Sequence, residues 1–543
     1  MDAILSTSPS QSMDQAEQTG RNHTLGLCLA LAMVFLADIL FFETLHPVGR
    51  CISPLEIVSF LHRQPAWTAA PFFAAFLLIL AVYRKESFAG LPGKLVGLGC
   101  IGLLWAMVNH GKGLALFLLI LGSATLAIPG SEWRKSVPAW LEQGLVFVVK
   151  MVTLPVQDIR TYVSSKPDMD GENRGKRIFR NWVFPIVLGA LFLGLFILAN
   201  PVIAAWIEEF ALDIILKWFI PRRVVLWLLV ASLVWTTLRL SRPKEVEHEK
   251  LAPEDPVPAA QIGFMTPGSM VRALVLFNAI FLVQTGMDAM YLLGGAVLPE
   301  EFTYAEYAHR GAYPLVATAL LAGVVVLVAL KQASPTERSR SVRGLTYVWI
   351  AQNVFLVGTS MWRLLFYIEA YSLTCFRVAA FIWMGLVALG LVLIVVRIIG
   401  QKSGQWLLGT NFLALLAVLY TVCFLNVKGF VAEYNVAHCR EMGESGYYID
   451  LYYLQRLGPD AIPAVHRLRE ARVLSPEKAA WAKQVEEELV ADLHATLDNW
   501  RQWTRQRQAL ADEYTLSTVS LDFLPDGSGW SIVRPAEDRH GPQ

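Results

Sequence analysis

The sequence predicts an all-α, polytopic transmembrane helix bundle of about 11 spans, with a helical extramembrane C-terminal tail. Three observations lead there. Apolar residues make up 55% of the 543-residue chain and charged residues only 17%, against roughly 45–50% and about 25% in soluble domains. The apolar residues gather in runs close to the roughly 20 residues a helix needs to cross the hydrocarbon core. Lys and Arg concentrate in alternate connecting loops, the asymmetry that sets orientation in a bilayer.

Residues 1–23 read as a polar cytoplasmic leader. The first apolar run, 24–42, has no small-residue cleavage site after a short core, so it is expected to stay as a helix. Further spans are expected at 66–83, 94–108, 113–128, 182–203, 223–240, 270–292, 312–330, 345–366, 376–398 and 406–425. The third and fourth runs are short enough to form a tight helical pair. Two stretches are read as non-crossing. Residues 145–154 are too short and carry Lys150. Residues 204–220 alternate Glu208, Glu209, Asp213 and Lys217 with Trp206, Ile207, Phe210, Ile214 and Trp218, the period of a helix lying in the interface.

Arg84, Lys85 and Lys94 lie in the second loop, and nine basic residues between Arg134 and Arg180 lie in or beside the fourth. Later even-numbered loops are basic as well. This places the N-terminus in the cytoplasm and the residues after Leu425 outside. The organisation expected is an N-terminal transmembrane group at 24–240 with a basic loop near 130–181, a Pro- and charge-rich linker at 241–268, a C-terminal transmembrane group at 269–427, and a helical C-terminal domain at 428–543, on the periplasmic side. Within that domain Ser475 caps a helix with Pro476 in its first turn. The helix is expected to run through 481–510 with a stripe of Val485, Leu489, Leu493 and Leu497. Two strands, 521–524 and 530–533, flank the turn signal at 525–529.

Net charge is +1, so no nucleic-acid partner is expected. The six cysteines form no CxxC or zinc spacing and read as small apolar residues, with a disulfide among Cys51, Cys375 and Cys439 as the alternative. No P-loop, dinucleotide fingerprint, HExxH or GxSxG occurs. Glu306 and His309 have ExxH spacing, but a second such motif is missing. No cofactor, metal or catalytic residue is therefore assigned.

Ionisable groups inside apolar runs are costly, which makes them pointers to function. Asp38 lies near the outer end of the first run. Gln284 and Asp288 share a face of the seventh. Gln352, Thr359 and Arg363 form a stripe along the ninth. With the expected topology, a polar cluster gathers at the outer face: Asp288, Tyr304, Glu306, Tyr307, His309, Arg310, Arg363, Glu369, Tyr371 and Arg377. Arg363 is expected to pair with Asp288 or Glu369. Mutual pairing is the plainest reading of the cluster. A vestibule for a small solute or a lipid, and an enzymatic site with Glu306 or Glu369 as base, are the others.

Three segments carry a family resemblance. They are residues 286–323 with YAEYAHRGAYP, residues 349–393 with the IEAYSLT turn before Arg377, and residues 435–465 with Asp450, Tyr453 and Leu454. Together with WRQW at 500–503 they resemble a bacterial multi-pass membrane family, domain of unknown function 4173, over roughly residues 180–505. The resemblance implies a protein of the bacterial inner membrane and names no substrate. The function expected is a transport or envelope-sensing component that contacts the lipid bilayer, a small solute or lipid, and an envelope protein through its tail. An intramembrane enzyme on a lipid-linked substrate and a structural or assembly protein are the alternatives.

Overall fold

The computed structural model of the protein describes residues 9–41, 67–129, 135–163, 221–240, 267–290, 339–443 and 446–514, strands at 520–523 and 530–533, and single positions at 185, 188 and 189. The expected span at 312–330 and the interfacial stretch at 204–220 lie outside the described residues, as does nearly all of the span at 182–203. The chain divides into two compact units, Met1–Glu247 and His248–Gln543.

The first unit contains α1 (Pro9–Phe41), α2 (Ala69–Tyr83), α3 (Leu91–His110), α4 (Gly113–Ala127), α5 (Val137–Val163) and α6 (Pro221–Arg239). The tight pair read from the sequence is α3 and α4. Gly111 ends α3 in the left-handed region at φ 60°, where glycine carries no Cβ penalty. That lets α4 begin two residues later. A Cβ on Gly122 would lie 2.6 Å from the Cys100 sulfur, so the absence of a side chain is what allows α3 and α4 to close. Helices α1 and α6 run antiparallel, with Gly26 facing Leu238 at one end and Asp38 facing Arg223 at the other.

One buried guanidinium gathers three helix ends. Arg84, just past α2, donates to the carbonyl of Ala127 at the end of α4 at 2.6 Å and to that of Leu240 just past α6 at 2.8 Å. The last carbonyls of a helix lack partners inside it, and a cation there also complements the helix dipole. Arg84→Met keeps the stem and leaves both carbonyls short of a donor, each costing about 1–3 kcal/mol. The expected result is a lower thermal midpoint in detergent. An unchanged midpoint would mean that water replaces the clasp.

Helix α5 corrects the sequence reading. The run at 145–154 is not a short apolar patch but the middle of a 27-residue helix. Polar residues at both its ends hid its length. It meets the first unit at three places. Trp140 donates to Thr125 of α4 at 3.0 Å, Thr236 of α6 donates to the Lys150 carbonyl at 3.4 Å, and Trp235 of α6 donates to Asp158 at 2.9 Å. Arg239 of α6 adds an ion pair to Asp158 at 3.1 Å.

In the second unit, α7 (Pro267–Asp288), α8 (Arg340–Tyr371), α9 (Cys375–Ile399) and α10 (Gly404–Cys423) share a core that includes Leu274, Trp349, Ile350, Leu391, Ile394 and Leu407. Ser339, Thr374 and Ser403 cap α8, α9 and α10, each accepting an N–H from the residue three positions on, as hydroxyls at helix starts do. Helices α7 and α8 are parallel neighbours. Asn278 donates to the Leu345 carbonyl at 3.1 Å, Phe281 meets Trp349 edge-on, and Asp288 meets Thr359 further along.

Six described helical stretches are long and apolar enough to cross a membrane: 24–41, Leu91–His110, Val137–Thr161, Gly268–Asp288, Cys375–Ile399 and Gly404–Cys423. Ala69–Tyr83 and Gly113–Ala127 are apolar but shorter. The chain is thus predominantly helical with several candidate spans, while the figure of about eleven stays an expectation.

The tail follows as α11 (Val427–Ala437), α12 (Leu451–Leu457), α13 (Ile462–Glu470), α14 (Pro476–Asp498) and α15 (Arg505–Glu513), then the antiparallel pair β1 (Ser520–Phe523) and β2 (Trp530–Val533). Ser475 caps α14 as read, and Val485, Leu489 and Leu493 are buried. The helix does not continue to residue 510. Asn499 leaves helical geometry and accepts from the Arg501 amide. Thr504 then caps α15, which packs on α14. Side chains that bond the backbone locally compete with the helix at such positions. Cys375 and Cys439 are free thiols, so they form no bridge with each other, and Cys51 lies outside the described residues.

Candidate functional site

The polar stripe on α8 ends in a buried knot. The Asp288 side chain is fully buried and that of Arg363 is 8% exposed, and the two form an ion pair. Thr359 donates to the same carboxylate oxygen at 3.0 Å, and Gln284, one turn back on α7, donates to the other at 3.0 Å. Two charges removed from water are tolerable only when paired and hydrogen-bonded, and this carboxylate has three partners. Arg363 meets Asp288 and not Glu369, which sits exposed on the last turn of α8.

The first unit holds a second such pair, which sequence reading left unmatched. Asp38 of α1 binds Arg223 of α6 through two oxygens, and Trp227 donates to Asp38 at 2.9 Å. The spacing of 185 residues gives no local signal. Only an acidic and a basic residue, each facing a helix bundle near a span end, hinted at it.

Above Arg363, the turn from α8 to α9 is built by residues from three parts of the second unit. Ser372 holds a positive φ of 69°, a conformation that costs a non-glycine residue energy unless its surroundings enforce it. The surroundings do. Asn435 of α11, 3% exposed, accepts from the Leu373 amide at 2.7 Å and donates to the Leu373 carbonyl at 2.8 Å. Tyr447 donates to the Asn435 side-chain oxygen at 3.1 Å. Tyr453 accepts from the Cys375 amide at 3.1 Å. Arg377 donates to the carbonyls of Tyr371 and Ser372 and lies 4.2 Å over the Tyr367 ring. Ile368 and Leu373 enter the same buried core as Val431, Val436, Leu451, Leu454, Leu468 and Leu493. The tail is therefore not a separate appendage after residue 427. It is folded around the turn, because the turn supplies part of its apolar core.

Burial raises the Tyr447 hydroxyl, with Tyr434 and Cys439 adding to the effect, and burial likewise raises that of Tyr453. A phenol held neutral in the folded state contributes stability that is complete below its ordinary pKa near 10 and is lost as pH rises through the raised value. The joint is thus expected to hold at neutral pH and to loosen above roughly pH 10. Amide exchange at Leu373, followed against tyrosinate absorbance, reads this out. Tyr447→Phe should remove the Tyr447 share of the alkaline step, and a profile identical to the parent protein's would refute the assignment.

The expected ten-residue cluster is split. Asp288 joins Arg363 inside, while Tyr371 and Arg377 belong to the turn. Tyr304, Glu306, Tyr307, His309 and Arg310 lie outside the described residues. Asn435, His438 and Asp450 form no catalytic set. His438 stacks on Tyr434 at 4.1 Å and meets its carbonyl, and Asp450 caps α12. Among the described residues, no three His, Cys, Asp or Glu side chains are placed to hold a metal ion.

A family model with the description "Domain of unknown function (DUF4153)" matches residues 72–468. The chain belongs to the DUF4153 family. This corrects the resemblance drawn from the motifs, which pointed to a differently numbered family over residues 180–505. The motifs that carried it lie in the second unit. The apolar runs of the first could not be weighed the same way, since lipid selects hydrophobicity more than particular residues. No curated protein and no solved structure matches the chain. The DUF4153 match takes in α3 to α12, most of α2 and the part of α13 up to Leu468, so both ion pairs except Asp38, and the whole turn joint, fall within it.

Proposed function

We propose that this DUF4153 chain is an envelope-sensing component of the bacterial inner membrane. Its tail reads a partner or solute outside, and the turn passes that state to α8. One observation carries this reading: Asn435 grips both backbone groups of Leu373, so the tail and the end of α8 move as one body. Arg363 lies eight residues before the end of α8 at Tyr371, about 12 Å along the helix axis. A shift of α8 along α7 exchanges the partners of a buried charge, which favours two discrete states over a continuum.

Arg363 is engaged by Asp288, so an open vestibule centred on that arginine is not part of this reading. A groove in the tail lined by Arg469, Arg472, Leu474, Ala479, Ala480 and Lys483 supplies cations where an anionic solute would bind. An assembly role is the second reading. Tyr448, Tyr452, Trp481 and Trp500 are exposed on the tail, and arginines lie over the rings of Tyr448, Tyr452 and Trp500. Such pairs are enriched at protein interfaces.

The test places spin labels at the exposed positions Val283 on α7 and Leu365 on α8 in the full chain in vesicles. Asn435→Asp, which keeps the acceptor and loses the donor, is expected to change the distance distribution. A distribution that stays the same while amide exchange in the tail rises would show that the tail does not drive α8.

A further inference from the structure

Helix α5 is long and apolar enough to cross a membrane, yet its contacts place it otherwise. A spanning helix has its two ends at opposite faces of the bundle. The Arg84 clasp defines one face, because Ala127 and Leu240 both end there. Trp140 touches Thr125, two residues before Ala127, and Asp158 touches Trp235 and Arg239, beside Leu240. Trp140 and Asp158 are about 27 Å apart along the helix at about 1.5 Å per residue. Both nevertheless meet the same face of the first unit. The Asp38–Arg223 pair, which marks the opposite face, is met by neither. Helix α5 therefore lies across the end of the bundle.

The side chains divide into three arcs. Trp140, Phe147 and Asp158 turn toward the unit. Leu141, Leu145, Val148, Val152, Val156 and Ile159 recur at intervals of three and four residues, which returns them to one face. All six are between 58% and 68% exposed. Glu142, Gln157 and Arg160, also exposed, stand on the third arc toward the two ends of the helix, with Val146, Val149 and Thr153 between them. A spanning helix such as α9 has its charges, Arg377 and Arg397, only near its ends. Helix α5 has charge along its length and a long uncovered apolar stripe.

We propose that α5 is an interfacial helix: it lies in the plane of the membrane surface, with this stripe in the acyl–headgroup boundary of the bilayer that its neighbours cross. Charge argues for a lipid surface as the occupant. Among the described residues of α5 and the segment just before it, Lys135, Lys150 and Arg160 stand against Glu142 and Asp158, and Asp158 is spent on Arg239. Arg84, Lys85 and Lys94 flank the same end of the bundle, so the face is basic and suits anionic headgroups. The positive-inside rule puts it on the cytoplasmic side. The inference is independent of the sensing role and rests only on α2, α3, α4 and α6 being embedded.

The test uses the full chain in vesicles of phosphatidylethanolamine and phosphatidylglycerol, with nitroxides at Leu145→Cys, Val148→Cys, Val152→Cys, Val156→Cys and Gln157→Cys. These positions are exposed or at the polar arc, so the fold tolerates them. The expected pattern is oxygen-accessible labels along the whole stripe at one shallow depth, about 5–10 Å below the headgroups, and a label at Gln157 open to a water-soluble nickel chelate. Two results overturn the proposal. A depth that deepens to the bilayer centre between Leu145 and Val156 would make α5 a span. Chelate access at Val148 and Val152 equal to that at Gln157 would show that lipid does not cover the stripe.

Discussion

Asp288→Asn is expected to destabilise the second unit by about 3–5 kcal/mol, because it removes the Asp288 carboxylate charge from the buried Arg363 guanidinium. The shape barely changes, so packing loss contributes little. The cost is electrostatic: Arg363 is 8% exposed and cannot recover solvation without moving α8 away from α7. Replacing both partners should cost far less than replacing one, since an apolar pair of similar volume is often neutral at such sites. Asp288→Leu with Arg363→Met is therefore expected to recover most of the midpoint lost by Asp288→Asn. Thermal unfolding in detergent of the parent, the single and the double variant gives the comparison. A double variant as unstable as the single one would place the cost in packing and not in the lost Asp288–Arg363 charge pair. The same double variant separates stability from signalling: under the sensing proposal it folds but no longer switches.

Asn435→Ala is expected to release the tail from the α8–α9 turn while α8 and α9 stay inserted. The substitution strands the Leu373 amide and carbonyl and removes one of the two acceptors of Tyr447, whose hydroxyl keeps the Asn435 backbone carbonyl at 3.3 Å. Each orphaned buried group costs about 1–3 kcal/mol. Ser372, with its φ of 69°, then loses the grip that holds it in an unfavourable region. The turn should become the first site of proteolysis, and exchange at Leu373 and Cys375 should rise by one to two orders of magnitude, as about 1.4 kcal/mol per tenfold implies. If protease cuts the tail first and spares the turn, the joint is not the weak point. Rescue by Asn435→Gln is not expected, because one added methylene moves both polar atoms out of register with the Leu373 backbone.

Much of the architecture was legible in the residues. The apolar runs at 66–83, 113–128, 376–398 and 406–425 match described helices to within a few residues, since about 20 apolar residues in sequence have few other stable fates. Ser475, Pro476 and the turn signal in the sequence at 525–529 located the start of α14 and the strand pair by local chemistry alone. Local rules also failed where local competition was close. Helix α14 stops at Asp498 because Asn499 and Thr504 bond the backbone nearby, and α5 extends well beyond its apolar centre. Of the site, the stripe of Thr359 and Arg363 and its partner Asp288 were readable, because an ionisable group in a span must find a counterpart.

What the sequence determined by itself was the solvent each segment seeks, and hence the membrane class, the helical character and the positions of several span ends. Hydrophobicity is additive along the chain and needs no knowledge of neighbours. Which polar groups meet was decided only by the tertiary structure. Asp38 with Arg223, Arg84 with two distant carbonyls, and Asn435 with Leu373 depend on which helices are adjacent and how each is rotated. One residue of slip turns a helical side chain by 100°. The same geometry makes α5 lie across the bundle although its composition would let it cross, because three contacts with one face outweigh what length and apolarity alone allow.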